Sequence, residues 1–126
     1  MNDLIIEPTK KTPLVEFHTN GKLTLAGSSY PENVREFYAP VMDWVNELET
    51  EEITLDLIMD YTNTASAKVL LELLRKFDLT SRFKTVVVNW YYEEDDEDTL
   101  EAGQILEDIM THSTFKYIAY EKTARE

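Results

Sequence analysis

Between Ile53 and Phe77 the hydrophobic pattern changes period with no linker between the two halves. Ile53, Leu55 and Leu57 alternate with polar residues and run on into Ile58 and Met59, which reads as a central strand. Ala67, Leu70, Leu71, Leu74 and Phe77 then recur at helical spacing, which predicts a helix beginning around Thr64. Only a short polar turn separates them. A chain that passes this abruptly from buried strand to amphipathic helix has to pack one on the other, so a layered α/β architecture is expected.

The flanking segments extend that pattern. Leu14, Val15 and Phe17 are followed by His18-Thr19-Asn20-Gly21, and Leu23 and Leu25 alternate with Lys22 and Thr24. Asn-Gly between two apolar segments predicts an N-terminal β-hairpin, because both residues tolerate positive φ. Val34, Phe37, Tyr38, Val41, Val45 and Leu48 share one helical face, with Pro40 inside it predicting a kink or a start-up turn. Val86-Val87-Val88 and Trp90 read as a buried strand. After the acidic run Glu93–Asp98, the spacing of Asp98 and Glu101 suggests a capping box opening a third helix through Ala102, Ile105, Leu106 and Ile109. Phe115, Tyr117 and Ala119 suggest a last strand. The expected fold is a mixed β-sheet packed with helices.

The 126 residues suit one compact domain over 1–126, and an apolar fraction of 43% can fill one core. With three glycines and four prolines, a long linker is not expected. The formal net charge is −13, so the surface repels phosphodiester backbones and anionic membranes. Nucleic-acid and membrane partners are therefore not expected, whereas a basic protein partner is compatible. No cysteine is present, which removes disulfides, thiol catalysis and cysteine-held metals together. Met1-Asn2-Asp3-Leu4 lacks the features of a signal peptide, and no apolar run approaches a membrane span, so a cytoplasmic location is expected.

Two polar segments are candidate sites. Asn63 or Thr64 can cap the middle helix by accepting a hydrogen bond from a free backbone N–H. The same helix end carries partial positive charge and unpaired donors, so it tolerates an added phosphate. Spacing alone leaves an ordinary cap and a phosphoacceptor both open. Ser29, Tyr30, Glu32 and Asn33, around Pro31, read equally as the start of a helix and as a partner-contact surface.

The remaining constellations are plainer. His18 and His112 lack metal-ligand spacing with other ligands, and a turn histidine and a helix-end histidine suffice for them. The acidic run lacks the glycine and alternating ligands of a calcium loop, so a solvated helix start is expected. Trp90, Tyr91 and Tyr92 read as a strand end partly buried against a helix. No glycine-rich phosphate loop, Ser-His-Asp set or carboxylate pair stands out, so neither an enzyme nor a cofactor or metal is expected. A small hydrolase or ligand-binding domain stays open as an alternative.

The strand, the turn Asn63-Thr64-Ala65-Ser66 and the helix resemble the phosphorylated turn of anti-sigma-factor antagonists of the STAS type. There an Asp-Ser-Ser-Gly turn precedes the helix and its first serine is phosphorylated. Thr64 falls at that position, Asn63 replaces the aspartate and Ser66 the glycine. Nearly the whole chain resembles the SiaC family of bacterial regulatory phosphoproteins, through Ser29-Tyr30-Pro31-Glu32-Asn33, Asp43-Trp44-Val45 and Tyr61-x-Asn63-Thr64-x-Ser66.

That resemblance implies a STAS-like fold and a partner-switching cycle. A cognate threonine kinase would phosphorylate Thr64 and a PP2C-type phosphatase would reverse it. The unphosphorylated form would bind and activate a diguanylate cyclase, promoting biofilm or aggregation behaviour. Asn63, Ser66, Ser29, Tyr30, Glu32 and Asn33 are the expected partner-binding residues. An anti-sigma-factor antagonist using the same switch on another target is the nearest alternative.

Overall fold

The structure is a computed structural model that describes residues 1–121. Its elements run β1 (Leu4–Ile6), β2 (Leu14–Phe17), β3 (Lys22–Ser29), α1 (Val34–Glu47), β4 (Glu52–Thr62), α2 (Thr64–Leu79), β5 (Thr85–Glu93), α3 (Glu97–Asp108) and β6 (Thr114–Tyr120). The six strands form one sheet in sequence order. β1, β2 and β3 pair antiparallel, while β3 to β6 pair parallel, each parallel step crossing through one helix. Right-handed crossovers in a constant direction place all three helices on one face. Side-chain alternation agrees: Val15, Phe17, Leu23, Leu25, Ile53, Leu55, Leu57, Val86, Val88 and Phe115 are all buried in one cluster.

Local chemistry sets several of the joints. In the 18–21 turn only Gly21 adopts positive φ (91°), and a Cβ there would collide with the Glu52 carbonyl. Asn20 contributes through its side chain instead, its Oδ1 accepting from the Lys22 N–H at 3.0 Å. Tyr38, Val41, Trp44 and Val45 bury one face of α1, and the helix runs on through Pro40, which lies exposed on the outer side. The expected start-up turn at Pro40 is therefore absent, and the helix is capped well before it, by Asn33. Arg82 donates to the carbonyls of Val45, Asn46 and Leu48, closing the carboxyl end of α1.

Two expected boundaries move. The stretch Asp60-Tyr61-Thr62 continues β4 rather than forming a turn, because Tyr61 and Thr62 still pair with Ser28 and Ser29 across an irregularity at Gly27/Ser28. The third helix is capped by Asp96, not Asp98. Asp96 Oδ1 accepts the Thr99 N–H at 3.0 Å and its Oδ2 accepts the Thr99 hydroxyl at 2.7 Å. Both carboxylate bonds, the hydroxyl one foremost, hold the Asp96 pKa below its ordinary value. The acidic run is thus ordered, divided among the end of β5, a turn, the cap and the first turn of α3.

Candidate functional site

β3 and β4 are parallel neighbours, so their carboxyl ends finish side by side, as ligand-bearing loops do in open α/β sheets. The loop leaving β3 and the turn leaving β4 therefore adjoin. The Asn63 N–H donates to the Ser29 carbonyl at 3.0 Å, joining the two candidate segments directly.

Asn63 is the cap of α2. Its Oδ1 accepts the Ser66 N–H at 2.8 Å, and its carbonyl accepts the Ala67 N–H at 2.9 Å. That resolves the choice left open by spacing: Thr64 is the first helical residue, exposed, and its hydroxyl makes no hydrogen bond among the described residues. With Asn63 serving the Ser66 amide, the earlier amides of the turn have no intrahelical acceptor, and the first turn of α2 contains no acidic residue.

Behind Thr64 lies a buried chain of hydroxyls. Ser29 and Ser66 are both 0% exposed. Ser29 Oγ donates to Ser66 Oγ at 2.8 Å, so the Tyr38 hydroxyl, 2.7 Å away, donates to Ser29. Burial pushes the Tyr38 phenol pKa up, keeping it protonated for that bond. One network therefore ties the end of β3, the inner face of α1 and the first turn of α2 together. Ser29 and Ser66, expected among the partner contacts, present no side-chain surface to a partner; they hold the turn from behind.

The other four expected residues lie outside. Tyr30 is half-buried and packs edge-on against Tyr61, ring centroids 5.7 Å apart, while Tyr61 is 57% exposed. Glu32 is exposed, 3.8 Å from the Lys11 ammonium. Asn33 is exposed, but its Oδ1 is taken by the Glu36 N–H at 3.1 Å. Asn63 is half-exposed and engaged as described. The accessible patch is thus Thr64, Ala65, Tyr61, Tyr30 and Glu32.

Thr64 also stands on the rim of a cleft of about 670 Å³ between α2 and α3. Leu57, Met59 and Trp90 form part of its lining from the sheet, and Ala67, Leu70 and Leu71 line it from α2. These α2 residues were expected in the core. The helix buries Leu74 and Phe77 of that expected set together with Val69 and Leu73, and turns Ala67, Leu70 and Leu71 to the cleft. The signal was present in the sequence: seven apolar residues between Ala67 and Phe77 exceed what one helical face can hold. Among the described residues, no three histidine or carboxylate side chains are grouped to hold a metal ion.

A family model described as SiaC family regulatory phosphoprotein matches residues 6–120. An uncharacterized protein of Pseudomonas aeruginosa (strain UCBPP-PA14) is 31% identical over 109 residues, 82% of this chain and 86% of that protein. Among solved structures, apo-SiaC from Pseudomonas aeruginosa superimposes with a TM-score of 0.83 at 29% identity, covering 94% of this chain and 100% of its own. SiaC in its complex with the diguanylate cyclase SiaD, of which it is the activator, superimposes with a TM-score of 0.85 at 28% identity over the same shares.

Proposed function

We propose that this chain, which belongs to the SiaC family of regulatory phosphoproteins, is a non-enzymatic cytoplasmic switch that binds and activates a diguanylate cyclase until Thr64 is phosphorylated. One observation carries the site assignment. Thr64 offers an exposed hydroxyl with no hydrogen-bond partner among the described residues, on the first residue of a helix whose cap is already supplied by Asn63. In the reaction the γ-phosphoryl group of ATP passes to Thr64 Oγ1, ADP departs, and the hydroxyl proton goes to a base of the kinase. A PP2C-type phosphatase hydrolyses the phosphoester to close the cycle. The fold reading that goes with this switch is STAS-like, with the acceptor after a parallel strand and at the head of a helix.

The physical consequence of phosphorylation follows from position. The group adds about −1.5 to −2 charges at a helix N-terminus, where the free amides and dipole stabilise it by about 0.3–1 kcal/mol, so the fold need not open. Lys68, one turn along at i+4, is within reach of that phosphate. The modified side chain would stand across the rim of the cleft that Thr64 and Lys68 share. Against a basic partner the added charge attracts, but an exposed ion pair contributes only about 0–1 kcal/mol. Expelling one apolar partner side chain from the cleft costs about 1.5–3 kcal/mol. Exclusion wins, and the phosphorylated form releases the cyclase.

Incubation with the cognate kinase and ATP, followed by peptide mass spectrometry, should place a single phosphate on Thr64, removable by the phosphatase. Thr64→Val should take up none and still activate the cyclase. A phosphate found only elsewhere, or equal cyclase binding by phosphorylated and unmodified chain, would contradict this reading.

A further inference from the structure

The turn that presents Thr64 is braced from one side. β4 pairs with β5 no further than Leu57 and Trp90, so residues 58–62 run on with β3 as their one strand partner among the described residues. α3 gives no brace on the far side. The Trp90 Nε1–H donates to the Thr99 carbonyl at 2.9 Å and its ring packs against Gly103, which seats α3 over β5 and β6. Thr64 and Ala65 are themselves exposed. Even the β3 pairing is broken by the irregularity at Gly27/Ser28 and resumes only where Ser28 meets Tyr61 and Ser29 meets Thr62. The turn is therefore anchored at Ser29, the last residue of β3.

Ser29 holds the turn at both ends. Its carbonyl accepts the Asn63 N–H at 3.0 Å, just before Thr64, and its Oγ donates to Ser66 Oγ at 2.8 Å, two residues after it. The Asn63 Oδ1 accepts the Ser66 N–H at 2.8 Å and closes the span between. Thr64 and Ala65 thus form a two-residue bridge pinned to one serine. The Tyr38 hydroxyl, 2.7 Å away, pins that serine in turn from the inner face of α1. Ser29 and Ser66 are 0% exposed and Tyr38 is 1% exposed. Core stability alone does not call for three hydroxyls here, since replacing a buried hydrogen-bonded set by apolar groups of the same shape can be nearly neutral. What the bonds add is direction. Each fixes a distance and an angle, whereas apolar burial is non-directional.

We propose that Tyr38, Ser29 and Ser66 are positioning residues for phosphoryl transfer: their buried hydroxyl chain holds Thr64 Oγ1 in line with the γ-phosphorus of kinase-bound ATP. The proposal rests on Thr64 being the switch, and adds what sets the rate of its modification. The bond formed is Thr64 Oγ1 to phosphorus, the bond broken joins phosphorus to the oxygen that leaves with ADP, and the hydroxyl proton passes to a base of the kinase. The attacking oxygen has to stand about 3–3.5 Å from phosphorus and aligned with the leaving oxygen, and a misplacement of about 1 Å can cost on the order of a hundred-fold in rate. All three side chains are buried, so the kinase does not bind them. Their loss falls on kcat and leaves KM alone.

The test is kinase kinetics on the full chain, comparing wild type with Ser29→Ala, Ser66→Ala and Tyr38→Phe, each at a temperature where far-ultraviolet circular dichroism shows it folded. With ATP saturating, kcat should fall about ten-fold in the two serine variants and about three-fold in Tyr38→Phe, one bond further back, with KM within about two-fold of wild type. The double variant Ser29→Ala/Ser66→Ala should fall no further than the worse single one, because both remove the same bond. Val86→Ala, in the core where β4 and β5 begin, loses stability without touching the hydroxyl chain and should keep both constants. If a serine variant does not fold, Tyr38→Phe, which keeps the ring and loses one oxygen, decides. Wild-type kcat in the folded variants, a change confined to KM, or an equal loss in Val86→Ala would overturn the proposal. Peptide mass spectrometry of the wild-type product separates the two readings. Phosphate on Thr64 with the variants at wild-type rate removes the positioning role and leaves the switch standing, whereas phosphate only elsewhere removes both.

Discussion

Asp78, near the end of α2, is 5% exposed and accepts from three backbone amides, those of Thr111, His112 and Ser113, and from the Thr111 and Ser113 hydroxyls. Burial by itself would raise its pKa, but these donors outweigh burial and bring it down to about 2. A native pKa below the unfolded one means stability that is complete above the ordinary value of 3.8 and lost as pH falls through about 2. Asp78→Ala should cost about 3 kcal/mol, because three amides and two hydroxyls lose a charged acceptor, and should lower the Tm by roughly 10 °C. A thermal melt at neutral pH checks the first effect. Acid titration checks the second, since the variant should lose less stability than wild type between about pH 4 and pH 2. Nothing in the sequence distinguishes this aspartate from the other acidic residues, as its donors come from a loop more than thirty positions away. Thr64 is the opposite case. Its place at the head of a helix was legible from spacing, whereas only the Asn63–Ser66 bond shows that its hydroxyl is spare.

At the scale of elements, the order of strands and helices from residue 14 to residue 120 was readable, because period two and period 3.6 are properties of the local chain. Which face of a helix turns inward was less so. Leu74 and Phe77 of the expected α2 set are buried, but the choice of Val69 and Leu73 over Ala67, Leu70 and Leu71 is made by the strands beneath. In α3 the apolar stripe Ala102, Ile105, Leu106 and Ile109 predicted a buried face, yet only Gly103 is fully buried. The reason is Trp90, whose indole occupies the space under the helix. A Cβ at position 103 would lie 2.7 Å from that ring. Gly103→Ala is therefore expected to destabilise by about 1–3 kcal/mol, although alanine gains about 1 kcal/mol in helix propensity. Chemical denaturation gives the sign, and a red-shifted Trp90 emission would report that the indole has left the Thr99 carbonyl. A more stable variant would mean that α3 is not seated as described.

For the molecule as a whole, the charge of −13 acts at a distance that no single contact sets. If the proposed cyclase partner presents a basic segment, its association rate with this chain should fall on the order of ten-fold between about 50 and 300 mM salt, with a smaller change in dissociation. Surface plasmon resonance separates the two, and a rate that rises with salt would point to an acidic partner instead. Composition alone supported that much. The sequence by itself determined the layered α/β class, the succession of elements and the strand-to-helix turn that presents Thr64, because periodicity, capping and turn preference act over a few neighbouring residues. The tertiary structure decided which polar residues of that turn face outward: register brought Ser29 beside Thr62, and Tyr38 then closed Ser29 and Ser66 into the interior. It also decided that α2 and α3 stand apart, since the separation depends on a tryptophan and a glycine meeting across elements. Contacts of that kind are set by packing among distant segments, and no local pattern encodes them.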